Sequence, residues 1–359
     1  MRSKERVLTA FLRKEPDRVP INYLANIGID RRLKEYYGLP IDDHESLRQK
    51  LGVDFRSVAP VYKGPRLHGE IEGLNVDPAW GFRTKVIEHS SGTYQDFCDF
   101  PLKNADMKMV SNWPMPSADD FDYEQVLTNC REYSEYATHI GLVGTSALGD
   151  IINTTGMLMS METVLMGLAV DDRATLMMID KRLEIQFQVV KRCIEIANGK
   201  IDFLWLGDDL GTQYSPMISM DMFRRHIRPR HQKFIDLAKR NGLKIMFHSC
   251  GSSSWAFDDF AEMGIDAVDT LQPEAKDMSP EYLKKRYGDK LAFHGCISTA
   301  GPLAYGSVED VVEYTRQTLN IMMPGGGYCV CSTHAIQDNS PTENVVAMYE
   351  TARAFGGYK

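Results

Sequence analysis

The chain alternates short, nearly continuous apolar runs with longer stretches whose apolar residues recur every three or four positions. "IDFLWLGDD" (201–209) leads into a helical pattern near 218–240, "KIMFHSC" (244–250) into "SSWAFDDFAEMG", and "AVDTLQP" (267–273) into "SPEYLKKRYG". "LAFHGCIS" (291–298) and "GYCVCSTH" (327–334) likewise precede "SVEDVVEYTRQTLNIM" and "SPTENVVAMYETARAFG". Short uninterrupted runs read as strands buried on both faces; the wider spacing reads as amphipathic helix. With "RVPINYLA" (18–25), "FRSVAPVY" (55–62) and "HIGLVGTSA" (139–147) the count reaches about eight strands. Such alternation implies a parallel sheet, and eight strands imply closure into a (β/α)8 barrel, an α/β TIM barrel. A doubly wound open sheet competes, but no G-x-G-x-x-G follows an early strand.

The pattern predicts one barrel domain over residues 1–359. Val7, Leu8, Phe11 and Leu12 are helically spaced and predict an N-terminal helical extension. Residues 68–103 break the rhythm with short β runs between glycine turns, the mark of a β-hairpin insertion. It is expected to cover one mouth of the barrel or to mediate a homodimer. The Met-rich stretch 156–169 reads either as core packing or as a soft wall for a flat ligand.

Composition narrows the function classes. Apolar residues make up 43%, enough for a sizeable core, and the net charge of −8 without a basic block argues against a nucleic-acid partner. The one dense basic run, "RRHIRPRHQK" (224–233), reads as a solvated helix face or as a patch for an anionic partner. The start of the chain lacks the apolar core and cleavage site of a signal peptide, and no window approaches ~18 uncharged apolar residues. A soluble, cytoplasmic protein with no membrane partner is expected. Seven cysteines, an odd number, do not suggest a disulfide framework; four of them (Cys250, Cys296, Cys329, Cys331) fall in the last third, in or just after strands.

In α/β barrels the reactive side chains project from the C-terminal ends of the strands. Those ends carry Thr145 and Ser146; Asp208, Asp209 and Gln213; His248 and Cys250; Asp269 and Gln272; His294 and Cys296; and Tyr328, Cys329, Cys331 and His334. His248 and Cys250 are i and i+2 on an extended segment and so share a face. Imidazole and thiolate are donors zinc prefers, and a close pair plus one distant ligand is typical of a catalytic site with an open position. Cys331 and His334 are both candidates for the distant ligand. His294–Cys296 repeats the motif and supplies a supporting pair or an alternative one. Asp208 and Asp209 are candidates for a general acid, a further ligand or the carboxylate that orients His248. Gln213, Gln272, His294 and Tyr328 stand where substrate contacts are expected.

Together, "RVLTAFLRKEPDRVPI", "FHSCG", "FHGCIS" after "YGDKL", and "PGGGYCVCSTHAIQDNSPTENVVAMYETARAFG" resemble the uroporphyrinogen decarboxylase superfamily across essentially the whole chain. The resemblance independently implies a (β/α)8 barrel. True decarboxylases of that superfamily carry an R-Q-A-G-R motif for substrate carboxylates; here the region reads "NYLANIGIDRR" and the motif is absent. The resemblance therefore points to the superfamily's other branch, methyltransferases that bind zinc through H-x-C and a distant cysteine and work with a corrinoid (cobalamin) protein. "HSC" at 248–250 matches the first part; the distant cysteine falls at His334, with Cys331 three residues earlier, so the set is His–Cys–His or His–Cys–Cys. Two functions are carried forward. The first is zinc-dependent transfer of a methyl group between a small O-, N- or S-methyl compound and the cobalt of a partner corrinoid protein. The alternative is a metal-independent decarboxylase or lyase on another carboxylated substrate.

Overall fold

A computed structural model describes residues 1–89, 92–143 and 146–358. The barrel segments, in chain order, are β1 (residues 20–25, an extended segment that makes only isolated β-bridges) and the strands β2 (Phe55–Ser57), β3 (Ala137–Ile140), β4 (Phe203–Gly207), β5 (Lys244–Ser249), β6 (Ala267–Thr270), β7 (Ala292–Ile297) and β8 (Tyr328–Ser332). Strands β2 to β8 form one seven-stranded parallel sheet in sequence order. β1 joins its two edges: Ile21 bridges Val330 in parallel, Val330 N–H donates to Pro20 at 2.8 Å, and Asp54 N–H donates to Ile21 at 2.8 Å. The expected eight-stranded α/β barrel results. Strands such as "YCVCS" and "AFHGCI" are buried at every position because side chains fill the barrel inside and helices cover it outside.

The connecting helices bury one stripe each. In Arg173–Ala197 the buried positions include Met178, Ile179, Arg182, Leu183, Gln186, Val189 and Val190, recurring at helical spacing, and the Asp172 side chain caps the first turn by accepting from Thr175 N–H. The N-terminal helix Ser3–Phe11 closes the bottom of the barrel. Phe11 packs edge-on against Phe203, the first residue of β4, and Arg6 and Arg18 pair with the fully buried Asp54. With that end sealed, chemistry is left to the opposite mouth.

The insertion is a three-stranded antiparallel sheet of Asn75–Val76, Arg83–His89 and Gly92–Asp99, within the 68–103 boundary; residues 90 and 91 lie outside the described residues. It rests beside the helix Ile152–Met159, where Leu102 N–H donates to Leu158 O at 2.9 Å. The basic run 224–233 is neutralised within the chain: Arg224 and Arg228 pair with Asp259, Arg225 with Asp171, and Arg230 with Asp180. Its acidic neighbours leave little net charge for an anionic partner. Among the described residues, no helix is long and apolar enough to cross a membrane.

Candidate metal centre

His248, the penultimate residue of β5, lines the mouth pocket with its side chain 33% exposed. The residue after the strand, Cys250, is half-buried, and Gly251 then turns the chain with φ +70. A Cβ at Gly251 would lie 2.2 Å from Gly211 O, so the loops after β4 and β5 pass in contact only because this residue is glycine. That contact brings Asp209 to the cysteine: Cys250 N–H donates to Asp209 Oδ1 at 2.8 Å, while Asn153 Nδ2 donates to Asp209 Oδ2 at 2.8 Å.

The orientation of His248 comes from β6. Its Nδ1 lies 2.6 Å from Asp269 Oδ2, and Thr270 Oγ1 is 2.8 Å from the same nitrogen. With Nδ1–H committed to the carboxylate, Nε2 is directed to Cys250 Sγ at 3.4 Å and Asp209 Oδ1 at 3.6 Å. Asp269 is buried, and burial opposes its charge; His294 and His248 outweigh that and hold its carboxyl well below the usual range. Its other oxygen lies 2.5 Å from His294 Nδ1, and Trp205 Nε1 donates to Oδ2 at 3.2 Å. Asn22 completes the chain of contacts, because Tyr23 N–H holds its Oδ1 and so turns its Nδ2 to His294 Nε2 at 3.0 Å.

Donor atoms of Asp209, His248 and Cys250 all lie within 4.8 Å of one another, the one such group among the described residues. Carboxylate, imidazole and thiol suit a borderline-soft divalent ion such as zinc, and a carboxylate on the far nitrogen of the histidine is the usual support of such a ligand. Burial raises the pKa of the Cys250 thiol, so a cation is the natural means of holding it as thiolate.

The remaining sequence candidates are distributed differently. Asp208 is fully buried, and its oxygens accept from Ile151 and Ile152 N–H and lie 3.3 Å from His231 Nε2; burial pushes its carboxyl up to about 8. It secures the start of a helix and does not line the mouth. Cys331 is fully buried with Ser332 Oγ 4.0 Å from its sulfur, and His334 is exposed with Nδ1 3.3 Å from Ala335 O; neither joins the group of three. Cys296 and Cys329 are core residues, and Tyr328 is buried with its hydroxyl donating to Gly295 O at 2.9 Å. Gln272 accepts from Gly251 N–H at 2.6 Å and so fixes the loop that carries Cys250, whereas Gln213 is exposed. Thr145 lies outside the described residues.

A pocket of about 360 Å³ opens at the mouth with His248 in its wall. Its other walls come from β1 to β4 and include residues that no motif flagged: Arg48, His139, Asp150 and Trp205. Each stands alone in the sequence, without spacing to mark it. The Met-rich residues 156–169 do not line this pocket: Met159 and Leu158 are core, while Met161 and Met166 face solvent.

Residues 156–355, more than half of the chain, match the family model described as uroporphyrinogen decarboxylase (URO-D). A solved structure of a methyltransferase from Methanosarcina mazei superposes with a TM-score of 0.66 over 99% of this chain and 99% of its own, at 16% sequence identity. At that identity the likeness is one of fold. A search of curated proteins finds no match.

Proposed function

The chain belongs to the uroporphyrinogen decarboxylase family, and within it we propose a zinc-dependent methyltransferase that moves a methyl group between a small O-, N- or S-methyl compound and the cobalt of a corrinoid on a separate protein. One observation carries the reading: His248 is held by Asp269 through Nδ1 so that Nε2 converges with Cys250 Sγ and Asp209 Oδ1 at the edge of a pocket. In this proposal His248, Cys250 and Asp209 hold the metal, Asp209 standing where the sequence offered Cys331 or His334. When bound, zinc supplies a Lewis acid for the heteroatom that carries the methyl group, making it a better leaving group or, in reverse, a better nucleophile.

The chain's own residues do the rest. Asp269 fixes one tautomer of His248, and His294 and Asn22 fix Asp269, so the ligand does not have to reorganise when the site fills. Gln272 holds the turn at Gly251 that presents Cys250. Leu24, Val53, Phe55, Leu142, Leu148 and Leu206 line the pocket and keep the body of the methyl compound from water. Elemental analysis of the purified protein, with His248→Ala and Cys250→Ser alongside, tests the reading. It expects about one zinc per chain, lost in both variants, together with zinc-dependent methylation of reduced cobalamin followed by absorbance. A folded, zinc-free protein indifferent to both substitutions would overturn it and favour the metal-independent lyase.

A further inference from the structure

The pocket that has His248 in its wall also holds a cation that no carboxylate among the described residues neutralises. Arg48, in the last turn of helix His44–Leu51, lines the pocket, and among the described residues its side chain has neither a carboxylate nor a hydrogen-bond partner. Its neighbours differ. Arg56 is bound by Glu45 at 2.7 Å, and Arg6 and Arg18 are bound by Asp54. A half-buried guanidinium costs solvation, which a bound anion would offset.

A second, independent observation lies in the same pocket. His139 on β3 is 8% exposed, lines the pocket, and its Nδ1 is buried with no hydrogen-bond partner among the described residues. The ring is fixed between Phe203, stacked at 5.0 Å, and Trp205, edge-on at 5.2 Å. Burial first, and then the charges of His294 and Arg48, hold its pKa down to about 3, so it is a neutral donor or acceptor at working pH. Arg48, His139 and Tyr23 all line this one pocket. The one carboxyl lining the pocket, Asp150, already accepts from Thr154 N–H at 2.7 Å and makes no ion pair with Arg48. Trp205 links this part of the pocket to the support of His248, touching His139 with its ring and donating to Asp269 through Nε1.

The geometry points to a substrate class: a small methyl compound with an apolar body and one carboxylate, the carboxylate bound by Arg48 and the Nδ1–H of His139, the methyl-bearing heteroatom at His248, Cys250 and Asp209. The inference rests on the methyltransferase reading for the metal end but not for the anion end. About 360 Å³ accommodates a molecule of that size. A guanidinium and a neutral N–H donor suit a carboxylate, whereas an uncharged compound would leave Arg48 desolvated and unpaired.

Calorimetric titration of the zinc-loaded full chain with two pairs of probes tests this. The pairs are 3-methoxybenzoate against 3-methoxybenzyl alcohol, and methoxyacetate against 2-methoxyethanol. At least one carboxylate is expected to bind ~10-fold or more tightly than its alcohol, with Arg48→Gln abolishing the preference and Arg48→Lys recovering part of it. Thermal melts of both variants establish that they fold. If neither carboxylate binds more tightly than its alcohol, or if folded Arg48→Gln keeps the preference, the inference falls even where zinc content and methyl transfer are as proposed. If the preference depends on Arg48 in a chain that holds no zinc and transfers no methyl group, the anion site stands and the methyltransferase reading falls.

Discussion

The motif H-x-C occurs twice at the same level of the barrel, as His248–Cys250 on β5 and His294–Cys296 on β7, and the two copies have opposite fates. Residues 248, 269 and 294 are laterally paired, so both histidines flank Asp269. On β5 the cysteine lies just past the strand end and stays beside the imidazole, 3.4 Å from Nε2. On β7 the chain is bent between the two residues: Gly295 has φ +120 and Cys296 has φ +68, and both His294 and Cys296 are fully buried. The rule that i and i+2 share a face holds only while the backbone stays extended. Identical motifs thus give a pair of converging donors in one place and, in the other, a supporting histidine with a core cysteine.

The comparison can be broken most forcefully at the first copy. His248→Ala should remove the metal and reduce methyl transfer on the order of 10³-fold, since a Lewis acid contributes several kcal/mol. Cys296→Ala at the second copy should leave zinc content unchanged and cost only about 1–2 kcal/mol of stability for the small cavity. Elemental analysis and denaturant melts of the two variants side by side separate these outcomes; zinc lost from Cys296→Ala would reverse the assignment.

Gly295→Ala tests the bend itself. The added Cβ would lie 2.3 Å from Thr270 O at a φ that alanine rarely adopts, so the variant should lose ~2–4 kcal/mol in urea unfolding. An unchanged midpoint would mean that β7 does not need this bend. A smaller effect is expected at the shared carboxylate: Asp269→Asn keeps the shape but removes the charge behind His248, and zinc affinity measured by competition with a chelator should fall about 10–100-fold.

The smallest effect contrasts two buried carboxyls. Asp269 has imidazoles on both oxygens and is held low, while Asp150 is pushed up to about 7, by burial first and then by Asp208. For Asp150 the native state keeps a proton across the interval where the unfolded chain, with its pKa near 3.8, has released it. Its contribution to stability therefore falls as pH rises from about 4 to about 7, by no more than ~1.4 kcal/mol per pH unit. Urea midpoints at pH 5 and pH 7 should differ less in Asp150→Asn than in the parent; equal differences would show that Asp150 titrates normally.

Much of the architecture was legible because barrel strands carry a strong local signal. Each buried strand is a short apolar run, each helix has its own spacing, and eight repeats leave few ways to close. Seven of the eight runs read from the pattern become strands of one parallel sheet, the first contributes isolated parallel bridges to it, and the hairpin falls within its expected bounds. His248 and Cys250 could also be singled out, because their spacing along an extended segment fixes their common face. Asp208 and Asp209 show where that reach ends. They are sequence neighbours with the same chemistry, yet one is sealed against a helix N-terminus while the other joins the donor group.

What the sequence determined by itself was the barrel and the close His248–Cys250 pair near the end of one strand, both of which follow from periodicity over a few residues. Only the tertiary structure decided that Asp209 stands beside them, that Asp269 serves two histidines, that neither Cys331 nor His334 is part of the group of three, and that Arg48 and His139 line one pocket. Those facts depend on contacts between segments as many as 272 residues apart, as between Asn22 and His294. Local patterning cannot encode them, because they are set by strand register, by a positive-φ bend and by which loops pack closely enough to touch.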